Sequence, residues 1–581
     1  MINKEQTHKI RHSLAHILAI AVLDKYPETK VTIGPVVDNG FYYDFDFGDI
    51  KISDKDLKDF SKKMKKLISQ KLNFEKTEIS KENALEKFKD NEYKTELINE
   101  ISENGETITL YKTGDFEDLC EGPHVKNTSE IDTSAFKLTK ISGAYWRGDE
   151  KNKMLTRIYG VAFENKEDFD KYNNAVQELE KNDHRKVGKE LDLFTFSDHV
   201  GSGLPLYTPN GTALIDALQN RVENICRDYG FEKVMTPHLA KIELFEISGH
   251  AGKYSEELFR VTSEKGHDFA LKPVQCPHQT QIYAAKPRSY KELPIRYMES
   301  NKQYRAEQSG EVGGLRRVYA ITVEDGHSFC TPEQIKDEVK GMINIIKEFY
   351  EPLGLWEKFW VSLSVRDPET PEKYIGSVEN WEIAEKMLEE VCQEMDLKAV
   401  RMEGEAAIYG PKVDFQFKDL LGREIQIPTV QLDFATPERF KLEYIDNNGD
   451  KKTPVMIHRA ILGSYERLIV LLIEQLGNRF PLFWMAPTQV EIIPVGDFAD
   501  EYAKNIFEEI KKSGIRVKIN NSDDGFGKKI RSAKKMRIPY FIVIGEKDIE
   551  ESKVTLENRD SGESVQITLK EALEIFKKEN K

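Results

Sequence analysis

Two residue pairs near the start of the chain combine imidazole and thiol groups at helical spacing. His12 and His16 stand four residues apart in an apolar-periodic stretch that predicts a helix, so both project from one face. Cys120 and His124 are also four residues apart, in the segment DLCEGPH. Such a quartet could hold a tetrahedral zinc ion, or a histidine could orient or deprotonate a hydrolytic water. The residues alone leave both chemistries open, together with a purely packing role.

A third set of such groups, Cys276, His327 and His458, is spread over the second half of the chain. The three residues are separated by 51 and 131 positions, and no local zinc motif has this spacing. Taken singly, each residue is expected either to pack in the core or to support a neighbouring site residue.

A glycine-rich loop carries arginines at both of its ends. Arg305 opens it, Arg316 and Arg317 close it, and strand-like segments flank it at Pro294–Tyr304 and Arg317–Glu324. The loop glycines are Gly310, Gly313 and Gly314. Planar guanidinium groups bind phosphate or carboxylate oxygens in bidentate fashion, so the pattern indicates an anionic ligand. A solvated turn with charged edges is the alternative.

Bulk composition describes a globular chain of 581 residues, which predicts three or four domains. No apolar run approaches the roughly 20 residues that cross a bilayer, and five scattered cysteines favour a reducing cytoplasm. The net charge is −15, yet Lys528–Arg537 holds six basic residues and no acidic one. This run predicts either a solvated helix or a local anion-binding face.

The periodicity of the chain predicts the elements that must position these groups. Thr7–Asp24 and Thr212–Arg227 have helical spacing, and Glu164–Glu190 reads as a long, charged, exposed helix. From Ala486 onward, apolar strands alternate with amphipathic helices, which predicts a compact α/β sheet.

Three ordered segments resemble the signature motifs of class II aminoacyl-tRNA synthetases, in the form found in threonyl-tRNA synthetases. Gly230–Leu239, with Pro237, resembles motif 1; the arginine-bearing hairpin resembles motif 2; and His458–Gln475 resembles motif 3. The resemblance runs from about His8 to the C-terminus.

The resemblance implies a mixed α/β and α+β multidomain fold and a cytoplasmic homodimer. It implies an editing domain at 1–163, a linker helix at 164–189, an antiparallel-sheet catalytic domain at 190–484 and an α/β anticodon-binding domain at 485–581. The family usually begins with a small ubiquitin-like domain, and His12 lies too close to Met1 for one to precede it here.

The resemblance also implies the reaction: activation of threonine by ATP with Mg²⁺, transfer to threonine tRNA, and hydrolysis of mischarged seryl-tRNA. The implied catalytic residues are Arg305, Glu307, Arg317, Lys412 and Arg467, and the substrate contacts are Asp325, Tyr409, Gln426, Gln431 and Ser464. One Zn²⁺ is implied on Cys276, His327 and His458. The implied editing residues, working without metal, are His12, His16, Lys94, Asp118, Cys120 and His124; the implied tRNA contacts are Arg531 and Arg559.

The implied zinc ion and the implied editing domain explain each other. Valine is nearly isosteric with threonine, and an apolar pocket separates such pairs by only about 10²-fold, whereas a metal that demands a hydroxyl rejects valine. Serine keeps the hydroxyl and lacks one methyl, a difference of ~1–3 kcal/mol, so a second hydrolytic site is needed.

Several positions depart from the family pattern. The motif 2 loop reads RAEQSG instead of RNEPSG, Ile321 replaces an aromatic residue expected to stack on adenine, and Val323 replaces a glutamine. Tyr319 replaces an arginine, and Ile427–Pro428 replaces a cysteine–glycine pair. Two alternatives therefore stay open: a tRNA-binding paralogue with impaired catalysis, and a synthetase-like enzyme with another acceptor.

Overall fold

The computed structural model describes residues 4–253, 255–307 and 311–580. The loop residue Gly310 and Gln308, one of the two altered positions in the motif 2 loop, lie outside these ranges, whereas the other altered position, Ala306, is described. The chain divides into two compact units, Met1–Gln177 and Glu178–Lys581. Among the described residues, no helix combines the length and the apolar character needed to cross a bilayer.

The first unit is built around the helix Lys4–Lys25, which the sequence predicts over Thr7–Asp24. Its buried side chains recur at helical spacing and face the alternate aromatic residues of the strand Gly40–Asp46. That strand belongs to an antiparallel five-stranded sheet with Lys30–Val31, Val36–Val37, Phe136–Tyr145 and Met154–Ala162. The helix Asp54–Ser69 packs against the same core.

A second, three-stranded antiparallel sheet completes this unit. Its strands are Phe74–Glu78, Thr109–Thr113 and Phe116–Leu119, and the helices Lys81–Lys87 and Glu92–Glu103 lie between the first two strands in the chain. The last strand ends immediately before Cys120, so the sheet sets the position of that thiol.

The predicted long charged helix is two helices, Lys166–Lys181 and His184–Glu190. The break has a local cause: the Asp183 side chain accepts a hydrogen bond from the Arg185 amide and caps the second helix. No described residue of the first helix is buried, whereas the second buries His184 and Val187.

The second unit contains an eight-stranded sheet whose six central strands run antiparallel. Its spatial order is Glu232–Lys233, Ile295–Tyr304, Ala320–Cys330, Val455–Ser464, Glu424–Asp433, Lys412–Lys418, Phe359–Val365 and Val400–Glu403. The helices Pro209–Asp228, Ile335–Tyr350, Val378–Glu394 and Tyr465–Leu476 contribute to the core of the unit.

Short elements surround that sheet. Small sheets form from Phe194–Thr195 with Leu206–Tyr207, from Leu239–Lys241, Arg260–Thr262 and Asp268–Leu271, and from Tyr444–Ile445 with Lys451–Lys452. Short helices are Ile242–Ser248, His250–Lys253, Cys276–Ala284 and Ala435–Arg439.

The C-terminal part of the second unit has its own core and the predicted alternation of strands and helices. Its sheet has the order Val517–Ile519, Val490–Pro494, Tyr540–Ile544, Val554–Asn558 and Ser564–Ile567, with the first three parallel. Its helices are Asp500–Lys512, Phe526–Lys535, Glu546–Glu550 and Leu569–Glu579.

Candidate functional site

Sheet pairing brings the three distant cysteine and histidine residues together. His327 and His458 are directly opposed on neighbouring antiparallel strands, and Cys276 begins the helix Cys276–Ala284. One ligand atom from each residue lies within 4.8 Å of those of the other two, and all three residues are buried. His327 and His458 are therefore far apart in the sequence but adjacent in the sheet, because their strands are neighbours.

Neighbouring side chains orient both imidazoles. Gln279 Oε1 lies 2.8 Å from Nδ1 of His327, and Asp433 Oδ2 lies 2.8 Å from Nε2 of His458. These oxygens accept the outer N–H of each ring, so His327 Nε2 and His458 Nδ1 face one another at 3.1 Å with lone pairs available. Burial lowers the pKa of His327 well below its usual value. Two imidazoles and a thiol held in this way fit a zinc ion that keeps an open coordination position.

Two members of the trio, Cys276 and His458, line a cavity of about 330 Å³ that collects most of the predicted catalytic and substrate-binding residues. Lining it are Cys276, Arg305, Glu307, Arg317, Asp325, Tyr409, Gln426, Gln431, His458, Ser464 and Arg467. Burial raises the pKa of Asp325 to about 7. The ring of Tyr409 stacks on that of His458 at 4.7 Å, and its hydroxyl donates to Gln431 Oε1 at 2.8 Å.

Three guanidinium groups converge on one side of this cavity. Burial, followed by the positive charges of Arg305 and Arg317, lowers the pKa of Arg467. Arg317 contacts Glu311 at 2.6 Å, and Arg467 Nε donates to the carbonyl of Arg316 at 3.3 Å. Charges of like sign gathered in this way are stabilised by an anion, so this part of the cavity is suited to an anionic ligand.

Two of the predicted residues have structural contacts of their own. Lys412 is not among the residues that line the cavity; its ammonium group contacts Asp414 at 2.8 Å. Ser464 lines the cavity and also caps the helix Tyr465–Leu476 by accepting from the Arg467 amide at 3.2 Å. Its hydroxyl therefore fixes the start of the helix that carries Arg467.

The described positions that depart from the family pattern fall into two groups, those that line the cavity and those that lie outside its lining. Ile321, Val323 and Ile427 all line the cavity with apolar surface. Pro428 falls at an irregularity in the pairing of its strand, where a proline costs no ladder hydrogen bond. Tyr319 packs edge-on against Phe259, outside the lining of the cavity.

The four cysteine and histidine residues of the first unit also meet. Cys120 Sγ lies 3.3 Å from His12 Nε2 and 3.2 Å from His124 Nε2, and His16 completes a group whose ligand atoms all lie within 4.8 Å. The Pro123 carbonyl, 3.2 Å from His12 Nδ1, can only accept, so the proton of that ring lies on Nδ1.

Burial keeps this quartet uncharged. It lowers the pKa of His12 to about 4 and that of His16 to about 3, and it lowers the pKa of His124 further. Burial also raises the pKa of the Cys120 thiol to about 12. The pocket therefore presents neutral imidazoles and a protonated thiol at neutral pH, a set that can orient a water molecule by hydrogen bonds but is weakly basic toward it.

A buried ion pair joins this pocket. Lys94 Nζ lies 2.7 Å from Asp118 Oδ1, and each side chain is 2% exposed. The hydroxyl of Tyr43 donates to Asp118 Oδ2 at 2.6 Å. Tyr43 was not predicted as a site residue; its alternation with Phe41 and Phe45 in the strand Gly40–Asp46 is the signal that places it on the inner face.

The two predicted tRNA contacts differ in accessibility. Arg531 is exposed on the helix Phe526–Lys535 and returns one hydrogen bond to the Gly527 carbonyl at 3.1 Å. Arg559 is 9% exposed at its side chain and donates to the carbonyls of Arg537 and Pro481. Its guanidinium is thus engaged within the protein.

Comparison with known families matches three parts of the chain. Residues 259–476 match the tRNA synthetase class II core domain (G, H, P, S and T), and residues 489–579 match the anticodon binding domain. Residues 108–159 match the threonyl and alanyl tRNA synthetase second additional domain.

Whole-chain relatives agree with these matches. The threonine–tRNA ligase of Porphyromonas gingivalis is 44% identical over 99% of this chain and 88% of its own length; that of Gloeobacter violaceus is 46% identical over 97% and 91%. A structure of the RNA binding domain of threonyl-tRNA synthetase from Cryptosporidium parvum is 34% identical, with a TM-score of 0.64 over 68% of this chain and 98% of that one. The chain therefore belongs to the threonine–tRNA ligase family and is a class II aminoacyl-tRNA synthetase that carries an editing domain.

Proposed function

We propose that this synthetase selects threonine at the Cys276, His327 and His458 trio, activates it with ATP and transfers it to threonine tRNA. The observation that carries the proposal is that Cys276 and His458 of the trio line the same cavity as the arginines. Relatives that are ligases over nearly the full chain do not favour the two alternatives, an impaired paralogue and an enzyme with another acceptor.

The donor set supports zinc in the trio. One nitrogen of each imidazole lies within 4.8 Å of the Cys276 thiol, and the other nitrogen of each ring is hydrogen-bonded to Gln279 or Asp433. When bound, zinc would supply a Lewis-acidic position that distinguishes a side-chain hydroxyl from a methyl group. Asp325, at the border of the trio, would accept the threonine hydroxyl proton, and Tyr409 would close the pocket over the amino acid.

Activation needs positioning more than a general base. A threonine carboxylate oxygen attacks the α-phosphorus of ATP, the new P–O bond forms, the bond to the bridging oxygen breaks, and pyrophosphate leaves. Arg305 would hold the α-phosphate, while Arg317 and Arg467 would hold the outer phosphates with Mg²⁺. Glu307 and Gln426 would contact the nucleotide. Lys412 now contacts Asp414, so it would reach the adenylate only after its side chain moves, or it would contribute by fixing the Asp414 carboxylate.

We further propose that the first unit hydrolyses seryl-tRNA without a metal. His12, His16 and His124 would orient the water beside Cys120, and the Lys94–Asp118 pair would position the aminoacyl end. Arg531 would contact the anticodon region, whereas Arg559 would act by holding the local backbone.

A homodimer and a cytoplasmic location complete the proposal. Met235, in the motif 1 segment, is 84% exposed, and Leu239, Ile247 and Val261 are large apolar side chains exposed nearby in the sequence. Such a cluster suits an interface between two copies. The five cysteines are all free, which suits a reducing compartment.

The test is ATP–pyrophosphate exchange with threonine, serine and valine on zinc-replete protein and on Cys276→Ser. Wild-type exchange should be strong with threonine, weaker with serine and absent with valine, and Cys276→Ser should lose both zinc and exchange. Normal threonine exchange by zinc-free Cys276→Ser would refute the role of the trio. One zinc per wild-type chain supports a metal-free editing pocket, and two would refute it. His16→Ala should charge normally and accumulate seryl-tRNA; unchanged clearance would remove His16 from the pocket.

A further inference from the structure

The proposed roles leave three buried histidines unused, namely His184, His250 and His278, and His184 is the one that contacts the arginine-bearing loop. His184 begins the helix His184–Glu190 and is 4% exposed. Its Nε2 lies 3.2 Å from the backbone nitrogen of Leu315, in the arginine-bearing loop, and its Nδ1 lies 3.2 Å from Glu474 Oε1. A backbone amide can only donate, so Nε2 is the unprotonated nitrogen and Nδ1–H donates to Glu474.

The loop is shaped to receive this imidazole. Gly314 has φ of +53°, and a Cβ at that position would lie 2.3 Å from His184 Nε2. Glycine is therefore required here both by the backbone conformation and by the approach of the ring. The next residue, Leu315, is fully buried in the core, so the chain that follows Gly314 is anchored beside the contact.

Further contacts, made by Glu474 and Arg316, connect His184 with the proposed ATP site. The other carboxylate oxygen of Glu474 contacts Arg316 Nη2 at 2.6 Å. The carbonyl of Arg316 accepts from Arg467 Nε at 3.3 Å, and Arg317 is the next residue in the chain. Arg316 thus links the two ends, since its side chain is held by Glu474 and its backbone carbonyl holds the Arg467 guanidinium, which lines the cavity.

We propose that His184 is a positioning residue for ATP: it holds the loop and Glu474, and through Arg316 it sets the orientation of Arg467 and Arg317. His184 does not touch the nucleotide. The inference rests on the proposed assignment of these two arginines to the outer phosphates of ATP. It predicts that loss of the tether weakens ATP binding and leaves threonine binding unchanged, because the trio has separate supports in Gln279 and Asp433.

The test measures KM for ATP and for threonine in ATP–pyrophosphate exchange, with rates expressed per titrated active site so that misfolded protein is not counted. His184→Phe keeps a ring and removes both hydrogen bonds. It should raise the ATP KM at least about tenfold, since the loss of a single buried hydrogen bond already corresponds to that factor, with the threonine KM within twofold. The exposed His199→Phe is the matched control and should resemble wild type.

Two further variants separate positioning from a general structural role. His184→Gln, whose side-chain oxygen reaches about as far as Nε2, should recover most of the ATP affinity. Glu474→Gln should raise the ATP KM, and combining it with His184→Phe should add less than the product of the two single effects. An unchanged ATP KM in His184→Phe, or an equal rise in both KM values, would overturn the inference. An unchanged ATP KM in Arg467→Ala would instead refute the proposed polyphosphate site itself.

Discussion

Replacing Lys94 with methionine tests the buried ion pair beside the editing quartet. Methionine keeps an unbranched side chain of similar length and removes the charge. The change leaves the Asp118 carboxylate at 1% exposure with the Tyr43 hydroxyl as its remaining charge-stabilising side-chain partner among the described contacts. The Leu119 amide also donates to Asp118 Oδ1 at 2.8 Å, but two neutral donors do not compensate a carboxylate removed from water.

The expected cost follows from the geometry of the pair. A contact of 2.7 Å between two side chains that are each 2% exposed is a buried salt bridge, and removal of one partner typically costs about 3–5 kcal/mol. For a unit of this size, 1 kcal/mol shifts the midpoint of thermal unfolding by about 2–4 °C, so the midpoint should fall by about 10 °C. The double variant Lys94→Met/Asp118→Asn removes both charges and keeps an acceptor for Tyr43, so it should regain most of the loss.

Amide hydrogen exchange of the helix Lys4–Lys25 in the full-length chain measures the free energy of unfolding of the first unit separately from the second. The pairing is supported if the single variant loses about 3–5 kcal/mol and the double variant loses clearly less. If Lys94→Met lowers the free energy of unfolding by less than about 1 kcal/mol, the Asp118 carboxylate is stabilised by water or by other groups and the buried-pair reasoning is wrong. A double variant as unstable as the single one would attribute the cost to side-chain shape and not to an uncompensated charge.

Three further changes have defined outcomes. Asp433→Asn weakens the hydrogen bond that orients His458, and it should lower zinc affinity about 10–100-fold in a chelator competition, with unchanged affinity arguing against this support. Burial lowers the pKa of His16 to about 3, below the unfolded value of 6.5, so its contribution to stability is present above pH 6.5 and is lost as the pH falls toward 3. Between pH 7.5 and 5.5 this contribution falls by about 1.4 kcal/mol, so the free energy of unfolding in urea should decrease less for His16→Asn than for wild type over that range. Parallel pH profiles of the two proteins would contradict the reasoning. Arg467→Ala should raise the ATP KM at least tenfold, since a charged hydrogen bond contributes about 1.5–3 kcal/mol, and an unchanged value would place ATP elsewhere.

Local patterns were sufficient where the chemistry depends on residues close in the chain. His12 and His16 share a helix face because of a spacing of four, and the predicted helix differs from Lys4–Lys25 by only a few residues at its N-terminus and one at its C-terminus. The alternation of strands and helices after Ala486 likewise predicted the C-terminal sheet. The split at Asp183 was missed because a single capping side chain outweighed a continuous charged pattern.

Residues far apart in the chain could be grouped only by resemblance or by the tertiary structure. No spacing rule joins His327 to His458; strand pairing does, because residues opposed across two strands meet whatever the length of chain between them. The same reason explains why Lys412 is found beside Asp414 and Arg559 against backbone carbonyls, and why His184 was read as part of a plain linker. The sequence by itself determined which chemical groups are present and which local elements carry them. Only the tertiary structure decided their neighbours, because burial, charge compensation and hydrogen-bond partners are set by contacts between distant segments.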